Sequence, residues 1–191
     1  MKKPLLTVSL LLMFSAVFSI SVAAQDNQAP VDQKTLARLY KEVRHELVML
    51  PYYGVFDNLA YKIDPDGTVT LLGQVANPVL KSDAERAVKR IEGVEKVVNN
   101  LEVLPTSIMD DQIRRAIYGN SALNQYQLRA VPPIHIIVNN GHVTLEGAVA
   151  RTMDKQIAGI QANKVPNVFS VTNNLVVEEQ EKDKDKNKDK K

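Results

Sequence analysis

The sequence predicts an α+β fold built twice, as two tandem αββαβ domains, each a small three-stranded sheet covered by two helices. The first observation is a duplication, because residues 67–76 return as residues 141–150 and residues 97–103 return as residues 171–177. Both pairs of segments are 74 positions apart, so no gap is needed. The second is that apolar residues change from helical to strand spacing in the same order within each copy. A long period seen only twice indicates two small domains and not a solenoid.

The first copy begins with a predicted helix, which Pro51 and Gly54 end. Its apolar residues recur at spacings of three and four, and they are Leu36, Leu39, Tyr40, Val43, Leu47 and Leu50. Residues 59–75 then alternate between apolar and polar and predict a β-hairpin. The turn of this hairpin is Asp64-Pro65-Asp66-Gly67, in which Gly67 can take the positive φ that the return requires.

The remainder of the first copy is a second helix and a last strand. Apolar residues at helical spacing cover residues 80–91, and Gly93 closes this helix. Residues 97–103 form the last strand. We therefore place the first unit at residues 31–105 and the second unit at residues 106–178.

The second copy predicts the same elements in the same order. They are a helix that starts around Ile113 and Ile117 and breaks at Gly119-Asn120, a hairpin over residues 134–149, a helix carrying Met153, Ile157, Ile160 and Val165 that Pro166 stops, and a strand over residues 171–177. We expect the second unit to be the less stable one. Gly119 interrupts its first helix, and Pro166-Asn167 stands where the first unit has Gly93.

Five glycines form the structural motif of the two copies. They are Gly67, Gly73, Gly93, Gly141 and Gly147. Gly73 and Gly147 stand where strand alternation asks for an inward side chain, so either a helix backbone approaches closely there or the strand bulges. The doubled asparagines at residues 99–100 and 173–174 are disfavoured in a strand, and the sequence offers no firm account of them.

Residues 1–24 are typical of an export signal. Two lysines precede an apolar stretch, and Val22-Ala23-Ala24 fits cleavage before Gln25. The alternative is an uncleaved membrane anchor, because residues 5–24 carry no charge. The chain has no cysteine, which excludes a lipid-modified cysteine, disulfides and thiolate metal sites.

Charge argues against nucleic-acid binding. The chain carries a formal charge of +2, and both N-terminal lysines would leave with the signal. A neutral mature chain lacks the basic surface that phosphate backbones require. The Lys/Asp-rich tail, residues 179–191, has no apolar residue to bury and is expected to be disordered, acting either as a solubilising tail or as a loose tether to polyanions.

The sequence predicts no enzyme, no cofactor and no metal site. His45, His135 and His142 lack the spacing of metal ligands, so each is expected to be a surface or satisfied histidine. Asp64 and Asp66 lack the other ligands of a calcium loop and fit a plain turn. No nucleophile elbow and no phosphate-binding glycine loop is present in the sequence.

One segment is a candidate contact site. Tyr52, Tyr53, Val55 and Phe56 lie between the first predicted helix and the first strand, close to Tyr61. Such a loop either inserts into a membrane interface or a partner groove, or caps the core of a small domain.

The repeated pattern resembles the BON domain. In the first copy it is carried by Gly67, Val69, Leu71, Gly73, Val75, Gly93, Val94, Val97, Asn99 and Leu101. In the second it is carried by Gly141, Val143, Leu145, Gly147, Val149, Val168, Val171, Asn173 and Leu175, with a departure at Pro166-Asn167, where the family usually has glycine. The resemblance implies an αββαβ fold and an exported, periplasmic, non-enzymatic protein. It also implies attachment to phospholipid membranes and protection of the envelope under osmotic or similar stress.

Two functions follow from these observations. The leading hypothesis is a periplasmic adaptor that binds envelope components, above all the phospholipid membrane surface, although neutral domains attract anionic lipid weakly. The rival is a protein-interaction module whose two units dock bivalently on an envelope protein.

Overall fold

The computed structural model describes residues 32–120, Tyr126 and residues 133–178. The predicted export signal, residues 1–24, and the Lys/Asp-rich tail, residues 179–191, lie outside the described residues. The described chain contains α1 (Gln33–Val48), β1 (Asn58–Ile63), β2 (Thr68–Val75), α2 (Pro78–Val88), β3 (Lys96–Asn99), β4 (Glu102–Val103), α3 (Ile108–Tyr118), β5 (Ile134–Asn139), β6 (His142–Val149), α4 (Thr152–Asn163), β7 (Ser170–Asn173) and β8 (Val176–Val177).

Each unit contains one small mixed sheet, which confirms the predicted α+β fold of two αββαβ units. In the first unit, β1 and β2 form the antiparallel hairpin, and β3 runs parallel to β2 on its other side. The short β4 also pairs with β2, so β3 and β4 are two parts of one interrupted strand. The second unit repeats this arrangement with β5 to β8.

Helix α1 lies on its own sheet through the apolar face that the sequence predicts. Leu39, Val43 and Leu47 are buried in a cluster with residues of β2 and α2. Burying a side chain of this size stabilises a fold by about 1.5–3 kcal/mol. The helix begins after Asp32, whose carboxylate accepts a hydrogen bond from the Thr35 amide at 2.6 Å. Tyr40, on the same predicted stripe, lies partly exposed.

The unexplained asparagines hold a helix to the interrupted strand. The Asn99 side-chain amide donates to the carbonyl of Lys81 at 2.8 Å and to the Glu85 carboxylate at 3.0 Å, and its oxygen accepts from the Leu101 amide. In the second unit, Asn173 donates to the carbonyl of Lys155 at 2.7 Å. The asparagine therefore occupies the break in the strand because it can bond to its own backbone and to α2 or α4.

Gly73 and Gly147 face a neighbouring strand, and the predicted approach of a helix is wrong. A Cβ atom at Gly73 would lie 2.1 Å from the carbonyl oxygen of Asn58, and one at Gly147 would lie 2.1 Å from that of Pro133. Both glycines have φ above +100°. The register continues past Gly73 to the pair Asn58 and Gln74, and past Gly147 the Ala148 amide donates to the Pro133 carbonyl at 2.8 Å, so no inserted bulge residue explains the two glycines. Glycine is required because β1 or β5 leaves no room for a Cβ and because φ is positive.

The second unit replaces one glycine with asparagine. Asn167, 74 residues after Gly93, has φ +67°, whereas Gly93 has φ +90°. Asparagine is among the few residues that occupy the left-handed region at modest cost. The departure from the family pattern at Pro166-Asn167 therefore keeps the same backbone shape.

Helix α4 turns its larger apolar residues outward. Met153 and Ile160 are 65% and 53% exposed, although their spacing predicts a buried face. The residues that face the sheet are Asp154, Ala158 and Ala162. Small residues allow the helix backbone to come close, and a Cβ at Gly159 would lie 2.8 Å from the Asn173 side-chain nitrogen.

Strand β5 is buried on both faces, unlike its counterpart β1. All residues from Ile134 to Val138 are buried, whereas in β1 Ala60 and Lys62 are exposed and only Ile63 is buried. Both faces of the second unit's sheet are therefore covered at β5. The residues that lie against it include part of the loop that follows α1.

Candidate functional site

The predicted contact loop begins where α1 ends. Met49 caps the helix, and Tyr52 follows with a φ of +69°, which is unusual for a residue with a side chain. The Tyr53 amide donates to the carbonyl of Leu50 at 3.2 Å, and the Asp57 amide donates to that of Gly54. The loop therefore has a defined conformation and projects from the first unit.

Two residues of this loop lie against the second unit. The amide of Ile136 in β5 donates to the carbonyl of Val55 at 2.7 Å. Val55 and Phe56 are partly buried against the apolar core of the second unit. The ring of Phe56 meets that of Tyr118 edge-on, with 5.9 Å between centroids. One partner of the predicted contact loop is therefore the second unit of the same chain.

Tyr53 completes this contact through His135. The two rings stack with 5.6 Å between centroids, and the Tyr53 hydroxyl lies 3.3 Å from His135 Nε2. Burial, helped by the nearby carboxylate of Asp57, raises the pKa of Tyr53 to about 12. Burial also lowers the pKa of His135, against the opposing effect of the Gly54 and Asp57 backbone. Both side chains are therefore held neutral between the units at neutral pH.

Asp57 fixes the loop from inside. Its carboxylate is almost fully buried and accepts hydrogen bonds from the amides of Gly54 at 3.1 Å and Ala76 at 2.8 Å. Burial raises the pKa of Asp57, and these two hydrogen bonds oppose the shift. Because Ala76 follows β2, the aspartate joins the loop to the sheet of the first unit.

Tyr52 is placed differently from the other three loop residues. It is 76% exposed, and Met49 beside it is 67% exposed. The structure therefore splits the predicted site, with Tyr53, Val55 and Phe56 between the units and Tyr52 on the surface. By the 74-residue offset, Tyr126 is the counterpart of Tyr52, yet Tyr126 is buried and donates to Asp154 at 2.6 Å.

A cleft of about 410 Å³ lies between the two units. From the first unit it is lined by Arg44, Leu47, Val48, Tyr53, Leu59 and Tyr61, and from the second by Pro133, His135, Gly147, Ala148 and Glu178. Its wall mixes apolar side chains with one cation, one carboxylate and neutral polar groups. Such a lining suits a ligand that is largely neutral and offers hydrogen bonds.

Of the two placements expected for His135, a surface histidine or a satisfied one, the surface placement is wrong. It is buried, and its Nδ1 atom has no hydrogen-bond partner of normal geometry among the described residues. A signal was present in the sequence, because His135 sits inside the apolar run Ile134 to Val138. A strand with such a run is typically buried on both faces.

The described residues contain neither a metal-binding cluster nor a spanning helix. No group of histidine, aspartate or glutamate side chains suited to a metal ion occurs within residues 32–120, 126 and 133–178. Over the same residues, no helix combines the length and the apolar character needed to cross a membrane.

Comparison with known proteins identifies the repeated unit. The family model described as BON domain matches residues 50–105 and residues 110–179, which is more than half of the chain. No curated protein matches. Two solved structures of CdsD, a structural protein of the type III secretion system of Chlamydia trachomatis, are similar in part. One is 14% identical, with a TM-score of 0.32, and covers 78% of this chain and 97% of its own. The other, a C-terminal domain, is 15% identical, with a TM-score of 0.30, and covers 77% of this chain and 99% of its own.

Proposed function

The chain belongs to the BON domain family, and on this premise we propose that it is an exported, non-enzymatic periplasmic protein that attaches to phospholipid membrane surfaces. The family points to a protein of the cell envelope. Support for envelope integrity under osmotic or similar stress is part of the same proposal. The export signal predicted at residues 1–24 agrees with this location.

The observation that carries the membrane proposal is the exposed tip at the end of α1. Met49 and Tyr52 present an apolar and an aromatic side chain to solvent, while their neighbours Val55 and Phe56 are held against the second unit. Tyrosine is suited to the boundary between water and lipid, because its ring is apolar and its hydroxyl is polar. We call Met49 and Tyr52 the exposed tip.

Charge contributes little to this attachment. The exposed residues Lys41, Arg44 and His45 on α1 are interspersed with Glu42 and Glu46. A surface of mixed charge gains little from anionic lipid. We therefore expect apolar contact to dominate membrane binding and added salt to weaken it only slightly.

A liposome flotation experiment tests the proposal. The mature protein is mixed with vesicles of neutral phosphatidylcholine, or of phosphatidylcholine with anionic phosphatidylglycerol, at low and high salt. We expect it to float with both, and the double variant Met49→Ser, Tyr52→Ser to stay in the soluble fraction. The matched control is Phe169→Ser, because Phe169 is 69% exposed but belongs to the second unit. Wild-type protein that stays soluble with both vesicles would contradict the proposal.

A second candidate is a bivalent protein-interaction module. It is supported by two units held together by the loop contacts, which would present two surfaces at a fixed spacing. Crosslinking in the periplasm followed by mass spectrometry distinguishes it from the first. One dominant protein partner would favour this candidate, and crosslinks to lipid alone would count against it.

A further inference from the structure

The two units differ in the hydrogen bonding of the outer edge of their hairpins. In the second unit, the chain itself occupies part of the outer edge of β5. The Ile136 amide donates to the Val55 carbonyl, and the Val138 carbonyl accepts from the guanidinium of Arg114 at 2.6 Å. An exposed strand edge is a template for pairing with another chain, and these two contacts take up two of its outward-facing backbone groups.

The corresponding edge of the first unit is open. The Asp64 amide donates to the carbonyl of Thr68 at 2.9 Å, which sets the alternation of hydrogen-bonded pairs along the hairpin. The backbone N–H and C=O groups of the even-numbered residues of β1 therefore point toward β2. The backbone N–H and C=O groups of Leu59 and Tyr61 point away from β2, and no described residue forms a hydrogen bond to them.

The open edge lies on the cleft between the units. Leu59 and Tyr61 line the cleft from the first unit, and Pro133 and Gly147 face it from the second. The Tyr61 hydroxyl donates to the carbonyl of Tyr40 at 2.8 Å, which holds the Tyr61 ring on α1. The residues that carry these unused backbone groups therefore line a cavity of about 410 Å³.

We propose that this cleft binds an extended peptide segment of a partner protein, which adds a strand to the outer edge of β1. Main-chain hydrogen bonds to Leu59 and Tyr61 supply the affinity in this recognition mode, and the pockets beside them select side chains. The inference deepens the second candidate function and rests on it, and it requires no membrane.

The charges of the cleft define the chemistry of the peptide. Arg44 lines the cleft, where its charge acts on Tyr53 and Tyr61, and it forms no ion pair or hydrogen bond with any described residue. Glu178 lies on the opposite side and disfavours a second acidic group. Leu47 and Val48 provide an apolar wall. The partner segment should therefore carry apolar side chains and one carboxylate that meets Arg44.

The experiment selects and then locates such a peptide. Random octapeptides displayed on phage are selected against the mature full-length protein without lipid, and the best one is synthesised. We expect a carboxylate in the selected sequences and amide NMR shifts at Leu59 and Tyr61 on titration. Methylating the peptide nitrogens that face β1 should weaken binding at least tenfold. Arg44→Gln should weaken it a few-fold.

One substitution tests the backbone directly. Leu59→Pro removes an outward N–H and leaves the hydrogen bonds between β1 and β2 intact, so binding should fall at least tenfold. The matched control is Leu59→Ala, which loses the same side chain but keeps the N–H and should still bind. The N-methylated peptide gives an independent answer if Leu59→Pro does not fold.

Several results would overturn the proposal. These are selection of no peptide, shifts confined to other amides, and N-methylated peptide that binds as well as the parent. Binding that appears only after deletion of residues 179–191 would identify the tail as the occupant instead. A dominant protein partner found by crosslinking would still support the second candidate function if any of these results were obtained, so the inference can fail separately from the function on which it rests.

Discussion

The ring of Tyr53 stacks on the imidazole of His135, although 82 residues separate them in the chain. This pair joins two units that the duplication made alike. It also places a titratable group between them, because His135 is buried and its pKa is lowered. Stability should therefore depend on pH through a contact that exists only in the tandem arrangement.

The first prediction concerns this histidine. A group whose folded-state pKa is lowered binds fewer protons in the folded protein than in the unfolded chain. Its stabilising contribution is complete above the ordinary histidine pKa of 6.5 and is lost as pH falls toward the lowered value. The free energy of unfolding should then fall by up to about 1.4 kcal/mol per pH unit in that range. Denaturant titrations at about pH 7.5 and about pH 5.5 measure this change.

His135→Phe should flatten that dependence, because phenylalanine keeps the stacking and cannot bind a proton. His142→Gln is the control, since His142 is exposed and lies outside the contact between the units. Asp57 and Glu146 act on the pKa of His135 through their charges, Tyr53 stacks on its ring, and Arg44 and Glu178 line the same cleft. Asp57 acts in the opposite direction at lower pH, because its folded-state pKa is raised. Equal slopes in wild type and His135→Phe would refute the assignment.

The second prediction concerns the separate units. Fragments of residues 31–105 and 106–178 should melt at different temperatures, the second lower. Without the first unit, the Ile136 amide loses its acceptor and apolar surface beneath Phe56 becomes exposed. In the full chain, Phe56→Ala should lower the stability of the second unit by about 1–2 kcal/mol. Equal midpoints, or a second fragment that melts higher, would contradict this.

The third prediction concerns Gly73 and Gly147. Substitution of either by alanine should cost about 2 kcal/mol or more, because a Cβ collides with the neighbouring strand at a positive φ. Valine should be worse, although valine normally favours strands over glycine. Thermal melts of each variant measure the loss, and Thr70→Val is the nearly neutral control. A raised melting temperature for both glycine variants would exclude the steric explanation.

The fourth prediction concerns the asparagine that bonds to α2. Asn99→Val should destabilise the protein by about 1–2 kcal/mol, since the three hydrogen bonds of the Asn99 side chain are lost. Strand propensity alone predicts the opposite sign. Asn100→Val is the matched control. The Asn100 side chain is exposed, and valine keeps the hydrogen bond from the backbone amide of residue 100 to the Leu71 carbonyl. Similar melting temperatures for the two variants would disprove the role of Asn99.

The fifth prediction concerns Asn167. Glycine at this left-handed position should stabilise the protein by up to about 1 kcal/mol, and alanine should destabilise it by about as much. Asn163→Gly, the same change at the end of α4, should destabilise instead, because glycine is a poor helix former. Differential scanning calorimetry measures whether each variant melts above or below the wild-type protein. Stabilisation by alanine at residue 167 would be inconsistent with the positive φ of this residue.

Local pattern accounts for most of the fold, and contacts between distant residues account for the rest. Apolar spacing predicts α1 and the hairpin of β1 and β2, because each depends on neighbours along the chain. The same spacing misplaces Met153 and Ile160, because which side of α4 meets the sheet is decided by Ala158, Ala162 and Gly159. Spacing within α4 alone cannot show how closely the helix packs.

The candidate site is likewise predicted in part by local sequence and in part determined by contacts between distant residues. The aromatic cluster singles out the loop from Tyr52 to Phe56, since aromatics are rare in this chain. That three of its residues turn toward the second unit depends on β5 and on Tyr118, which are distant in sequence. Arg44 and Glu178 meet in one cleft for the same reason, and neither belongs to a local motif.

The contact between Val55 and Ile136 gives the tandem array a polarity. The first unit supplies the hydrogen-bond acceptor, the Val55 carbonyl, and the second unit supplies the donor, the Ile136 amide in β5. Among the described residues, no backbone hydrogen bond runs from the first unit to an acceptor in the second. The backbone of the second unit's sheet therefore depends on its neighbour in a way that the first unit's sheet does not, although the two units arose as copies of one sequence.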